Sequence, residues 1–365
     1  MSEVSKQHGG RLKSLDTLRG VAILMVIAFH VSTTYQPVAW VASVARWGNQ
    51  GVQLFFLISA ITMCFMWDQR ASEAQPQTKF YIRRFFRIAP LFWLAIGFYM
   101  VWWAATRPAP QPQDVLDWKQ VLLTATFLHG FSPSAINSVV PGGWSIAIEM
   151  SFYAIFPFLV MRRATPVQTL AFAFLAYLLI GLGATTYVER TFAPDPTFVY
   201  YSLLTQFPIF PIGMFVYAVA MRGDRCDVWP IVAIVCAWLG IAFAGKYALG
   251  LNARPFFWLQ VTIFAVAIYL IVRRGSHVPV LSLMGTLSYS MYLFHFAIID
   301  TFVMFTPREW REGTLFYVTF LALVLAATVA AAKISGVTLE RWSSDLARTV
   351  ISRMGRSGAQ RLSAE

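Results

Sequence analysis

Charge is scarce in this chain, and acidic charge scarcest. Of 365 residues only 13% are charged, 17 acidic against 29 basic, whereas soluble domains carry about 25% charged residues. So little charge cannot clothe a water-exposed globule, which excludes an ordinary soluble protein. Long hydrophilic stretches are missing as well, leaving no place for a second, soluble domain. Cysteine is limited to Cys64, Cys226 and Cys236, an odd and scattered set. There is no CxxC and no metal-ligand spacing, so a disulfide scaffold and a cysteine metal site are both excluded, and the three read as packing residues within apolar spans. Internal repeats and low-complexity tracts are also absent.

Apolar residues take up the rest, at 58% of the chain with a mean hydropathy of +0.59. Runs of membrane-spanning length recur from residue 18 to 334, which predicts an all-α polytopic integral membrane protein of about ten transmembrane helices. The spans fall near 18–36, 52–68, 88–106, 143–161, 167–187, 198–220, 228–247, 255–272, 279–303 and 313–333. They form a single transmembrane domain over 1–335, followed by a basic C-terminal tail over 336–365. The piece "VLLTATFLHG" (121–130) is too short to cross and reads as interfacial or re-entrant, and "TRPAPQPQ" (106–113) as an extended outer loop.

The net charge of +12 marks topology rather than a nucleic-acid partner. With the N-terminus inside, one side receives Arg11, Lys13, Arg70, Lys79, Arg83, Arg84, Arg87, Arg162, Arg163, Arg222, Arg225, Arg273, Arg274 and the tail from Lys333 to Arg361. The other side receives scattered cations: Arg46, Arg107, Lys119, Arg190, Lys246, Arg254, Arg308 and Arg311. This positive-inside asymmetry places both termini in the cytoplasm. The N-terminal segment lacks signal-peptide organisation with a cleavage site, so the first span is expected to serve as an uncleaved anchor in the inner (plasma) membrane.

An ionisable residue at a helix centre costs about 2.5–3.5 kcal/mol on insertion scales, so each one is a functional candidate. In "LRGVAILMVIAFH", Arg19 and His30 are eleven residues apart, which turns them to the same face and separates them by roughly 16 Å. Ser14 or Asp16 can cap this helix. Helix 4 begins after "PGG" (141–143) and carries Ser145 and Glu149 one turn apart on one face, and helix 9 carries His295. His30, Glu149 and His295 thus fall in the outer half of three helices, which predicts a shared polar cavity. Arg83 and Arg87 share a face at i, i+4 with Arg84 beside them, and with Arg19 they form a cationic layer at the cytoplasmic edge suited to a polyphosphorylated ligand. The plainer readings are topology for the arginines and a helix-to-helix hydrogen bond for His295. His129 and His277 sit at loop or interfacial positions without an assigned role.

The blocks "LDTLRGVAILMVIAFH", "GVQLFFLISA", "FYIRRFFRIAP", "WSIAIEMSFY" and "GTLSYSMYLFHF" resemble, in order, those of the membrane-bound acyltransferase-3 family, which O-acylates carbohydrates and other acceptors. The resemblance implies transfer of an acyl group, usually acetyl, from cytoplasmic acyl-coenzyme A to a carbohydrate or lipid-linked sugar amid membrane lipids, with no metal. Its arginine-to-histidine pattern matches Arg19 and His30, its basic block Arg83, Arg84 and Arg87, and its tryptophan block Trp144, Ser145 and Glu149. Tyr289 and His295 lie in the last block as site support. Two departures stand out: Gln53 replaces a commonly acidic residue, and Ala60 a glycine. On this reading the arginines hold the nucleotide phosphates, His30 is the general base, and Glu149 orients the imidazole as a triad carboxylate does. An acyl-enzyme on Ser145 or His30 is not required, and Ser145 reads rather as a helix cap. A multi-helix carrier is the competing class, although no inverted repeat is found. An ester hydrolase using His30 and Ser145 would leave the arginine layer without a purpose.

The charge pattern makes a topological prediction. With the native cysteines removed, a single cysteine placed near either terminus is expected to resist a membrane-impermeant thiol reagent in intact cells and to react once the membrane is opened. Labelling of one terminus in intact cells would require an odd number of crossings.

Overall fold

A computed structural model describes residues 3–106, 117–161, 164–192 and 196–362. Arg107, Arg162, Arg163 and all of the 106–113 loop except Thr106 lie outside the described residues. Helix α1 spans Glu3–Thr34, and a short α2 (Ala39–Arg46) leads into α3 (Gly51–Asp68). Then come α4 (Pro76–Thr106), the eight-residue α5 (Trp118–Ala125) and α6 (Trp144–Val160). Helices α7 (Pro166–Ala176) and α8 (Thr185–Phe192) are continuous through a π-helical stretch. The next crossing is broken into α9 (Pro196–Tyr201), α10 (Leu203–Gln206) and α11 (Ile209–Tyr217), and α12 (Val228–Tyr247), α13 (Pro255–Arg274), α14 (Pro279–Phe305), α15 (Thr314–Ser335) and α16 (Arg341–Leu362) complete the chain. Among the described residues the only extended pairing is an isolated bridge between Gln36 and Glu312.

Nine helical runs among the described residues are long and apolar enough to cross a bilayer. The tenth apolar helix, α6, has 17 residues, the lower limit of a crossing. These ten segments correspond in order to the ten expected spans, and the short α5 occupies the stretch expected not to cross.

Contacts between elements sort the chain ends onto two poles. At one pole the Arg11 guanidinium donates to the Met221 carbonyl, the Val278 amide to Thr17 and the Arg84 guanidinium to Met66. At the other, Tyr35 meets Thr306, the Gln36 amide donates to the Arg311 carbonyl, and Arg254 pairs with Glu189. Arg11 and Arg84, which the sequence assigns to the cytoplasmic side, thus lie at the first pole.

Helix α1 starts well before Ser14 and Asp16, so neither is a cap. The Ser14 hydroxyl donates to the Gly10 carbonyl inside the helix, and Asp16 pairs with Arg19 at 2.8 Å. The boundary expected after residue 335 also falls inside one continuous helical run, Thr314–Met354. Beyond it, α16 packs along α4. Pro90 has no N–H for the carbonyl of Phe86, one helical turn earlier, and the Ser343 hydroxyl donates to that carbonyl at 2.8 Å. Glu340 accepts from the fully buried Ser290 of α14.

The closest helix pair is α1 with α14, which run parallel. A Cβ built on Gly20 would lie 1.9 Å from the Leu281 carbonyl oxygen, and one on Gly285 only 1.7 Å from that of Asp16. Small residues let backbones touch inside a bilayer, where dispersion rather than water expulsion holds helices together. Because the obstructing atoms are backbone, Gly285→Ala is expected to destabilise the protein by about 1–3 kcal/mol, read as a lower unfolding midpoint in detergent. Gly97→Ala has nothing within 4 Å of its new Cβ and is expected to be neutral or stabilising by up to about 1 kcal/mol.

Candidate functional site

Five helices, α1, α3, α4, α6 and α14, line a cavity that begins among arginines and ends at a serine–tyrosine contact. Its cationic end is formed by Arg19, Arg84 and Arg87. The Arg19 guanidinium donates to Asp16 of its own helix and, at 2.6 Å, to Thr62 of α3. Arg84 is only 7% exposed and lies over the rings of Phe80 and Tyr153, while Arg87 is exposed at the mouth. Arg84, Arg87 and Ile88 make one stripe of α4 at i, i+3 and i+4. The expected partnership of Arg83 with Arg87 is therefore broken: Arg83 is turned out of the cavity and pairs with Glu73 at 2.6 Å, because the 69–75 connection brings a carboxylate to that side of the helix.

Midway along the cavity stands Glu149. Its carboxylate accepts from the Ser59 hydroxyl at 2.5 Å and from the Tyr153 hydroxyl. Glu149 accordingly does not orient His30, contrary to expectation. On the opposite wall, the Tyr289 hydroxyl donates to the Ile88 carbonyl at 2.8 Å.

At the far end the "PGG" turn shapes the wall. Gly142 has φ +75°, a conformation glycine adopts without penalty, and a Cβ there would meet the Tyr292 hydroxyl at 2.9 Å. The Tyr292 hydroxyl donates to the Gly142 carbonyl at 2.9 Å, and the Ser145 hydroxyl reaches Tyr292 at 2.9 Å. Gly143 occupies the cap position of α6 with no side-chain cap bond, so Ser145 is a cavity wall and not a cap. Trp144 is buried outside the cavity, stacked on Tyr201 at 4.6 Å between centroids.

Beyond Tyr292 sit the histidines. His30 and His295 lie with ring centroids 5.3 Å apart, His30 is flanked by Phe29 and Phe296, and the Tyr292 ring is 5.7 Å from that of His295. Ser145 and Tyr292 share one level, with Glu149 four residues below and His295 three above, so the carboxylate and the histidines differ in depth by about 10 Å. The expected single polar cavity is thus two layers, joined by the Ser145–Tyr292 bridge.

Sequence reading missed Ser59, Thr62, Tyr153 and Tyr292, all cavity-lining residues. Helical spacing signals them: Phe55, Phe56, Ser59 and Thr62 form one stripe of α3, and Tyr289, Tyr292 and His295 recur at i, i+3 and i+6. His129, left without a role, is buried and its Nε2 contacts the Gly143 carbonyl at 3.0 Å, pinning the turn before α6. Gln53, at the site where the resembled family is commonly acidic, donates through its amide to Gln206 and Tyr200. Cys64 is buried in α3 and Cys236 exposed on α12, whereas Cys226 lies in the connection after α11 rather than in a span. Among the described residues no group of three or more His, Cys, Asp and Glu could hold a metal ion.

Fold and cavity together define a multi-pass membrane protein with a polar cavity that has three arginines at one end and a histidine pair beyond the other. The chain belongs to the membrane-bound acyltransferase-3 family: the family profile described as "Acyltransferase domain" matches residues 12–333. It is similar to the peptidoglycan O-acetyltransferase OatA of Listeria monocytogenes, at 24% identity over 89% of this chain and 56% of that protein. It thus spans little more than half the length of that relative. It is also similar to the exopolysaccharide production protein ExoZ of Rhizobium meliloti, at 31% identity over 68% of this chain and 75% of that protein. No solved structure matches it.

The shell around Glu149 is open to a direct test. A partly buried carboxylate that loses a donor retains part of its desolvation cost, so Tyr153→Phe is expected to lower stability by about 1 kcal/mol, measured by thermal unfolding in detergent. An unchanged midpoint would mean that Glu149 is not held as described.

Proposed function

We propose that this chain is a membrane-bound O-acyltransferase of the inner (plasma) membrane that moves an acyl group, acetyl in the first instance, from cytoplasmic acyl-coenzyme A to a hydroxyl of a cell-surface or exopolysaccharide carbohydrate precursor. The observation that carries this reading is the polarity of the site: three guanidiniums at one end of the cavity, and His30, beyond its Ser145–Tyr292 end, about 16 Å further along α1 than Arg19. Family membership and the names of the relatives support an acyltransferase over a carrier or a hydrolase.

Arg19, Arg84 and Arg87 bind the phosphates of the donor in this proposal, where bidentate guanidinium–phosphate contacts give both energy and orientation. Glu149 offsets part of the arginine charge, and its partners Ser59 and Tyr153 keep it from competing for the guanidiniums. Ser145, Tyr289 and Tyr292 line the path of the extended pantetheine arm, with Trp144 stacked behind them. His30 takes the proton of the acceptor hydroxyl as that oxygen attacks the thioester carbonyl, the work of a general base. A cytoplasmic donor can in this way serve an acceptor presented at the opposite face without crossing the membrane.

The test is calorimetric binding of acetyl-coenzyme A to the detergent-solubilised chain, alongside thiol release. Arg84→Ala and Arg87→Ala are each expected to weaken binding about tenfold or more. Arg83→Ala, paired away from the cavity, should change it by no more than about twofold. His30→Ala should keep donor affinity and lose turnover. Absence of any affinity in the native chain would overturn the proposal.

A further inference from the structure

His295 is 0% exposed, and its two ring nitrogens are in different situations. Nδ1 lies 2.7 Å from the Tyr292 carbonyl oxygen. A carbonyl only accepts hydrogen bonds, so Nδ1 carries the proton and a neutral ring presents a lone pair at Nε2. Nε2 is buried with no hydrogen-bond partner. Such an atom forfeits about 1–3 kcal/mol unless something meets it, and the polar ring beside it is His30, 5.3 Å away between centroids. The neighbouring Tyr292 hydroxyl is already committed to Gly142 and Ser145. The other rings against His30, Phe29 and Phe296, offer it no strong acceptor.

We propose that His295 is the positioning residue for His30: its Nε2 accepts a hydrogen bond from one N–H of the His30 ring and so turns the other His30 nitrogen, with its lone pair, toward the end of the cavity. This inference rests on the acyltransferase reading and fills the place that Glu149, occupied about 10 Å away in depth, leaves vacant. As the acceptor oxygen bonds to the thioester carbonyl carbon, its proton passes to the presented nitrogen of His30. The carbon–sulfur bond then breaks, and the proton passes on to the departing thiolate, leaving an O-acyl ester and the free thiol of coenzyme A. While His30 carries the proton, the N–H held by His295 becomes a charge-assisted donor, and that bond strengthens. A neutral partner suits this depth, since a carboxylate would place a second ion in the membrane interior at additional cost.

The experiment uses the full chain in detergent with acetyl-coenzyme A as the probe, and reads donor affinity, KM and the rate of thiol release. His295→Phe keeps a ring of similar size and removes the acceptor. It is expected to lower kcat about 100-fold while leaving donor affinity and KM within about twofold, the mark of an interaction made only in the transition state. His295→Gln, whose amide oxygen can reach the position of Nε2, should recover at least about tenfold of that loss. If His295→Phe misfolds, His295→Asn replaces it, because its shorter amide cannot reach His30. Turnover in the Phe or Asn variant equal to the native chain, or Gln no better than Phe or Asn, overturns the proposal while leaving the acyltransferase reading intact. A native chain that neither binds nor turns over acetyl-coenzyme A overturns both, and the native control separates the two failures.

Discussion

The parallel contact of α1 with α14 is the constraint on which the site depends. Gly20 and Gly285 let the two backbones touch at the basic pole, and no other residue type could occupy either position without pushing the helices apart. Arg19 is the immediate neighbour of Gly20, and Tyr289, Tyr292 and His295 follow Gly285 along the same helix. One close approach therefore sets both the arginine end of the cavity and, some 16 Å on, the facing of His30 and His295. Polar groups far apart in sequence are brought into register by two missing side chains.

Around that pair, several polar groups in the apolar interior are matched to specific partners. Glu149 has Ser59 and Tyr153, Tyr292 has Gly142, and the carbonyl freed by Pro90 has Ser343. Within a bilayer no water is at hand to repair a missing bond, so these partnerships hold the helices at fixed rotations. Helix α16 and the π-helical turn before it belong to the same logic, since Ser343 and Glu340 reach α4 and α14 and tie the end of the chain to two walls of the site.

Much of this architecture was legible in the residues. The ten apolar segments, their order and the asymmetry of positive charge follow from hydropathy and length, which are properties of single segments. The facing of Arg19 and His30 follows from helical periodicity alone. Periodicity on one helix does not say which stripe looks inward, however. The i, i+4 spacing favoured Arg83 with Arg87, and only the packing of α4 against α6 and α14 selects Arg84 with Arg87 while Glu73 draws Arg83 away. Caps fared likewise, because Ser145 after a glycine turn looks the same on paper whether it bonds its own helix or a tyrosine 147 residues later.

By itself, then, the sequence determined the membrane class, the order of the apolar segments and which residues are costly enough in lipid to require a purpose, since each depends on transfer from water and on local geometry. The pairing of those residues was decided by tertiary structure. Depth along the membrane gave Glu149 to Ser59 and Tyr153 and set the His30 ring beside that of His295, because contacts are made only between groups a few ångströms apart, and which groups come that close is set by helix crossings that no single segment encodes.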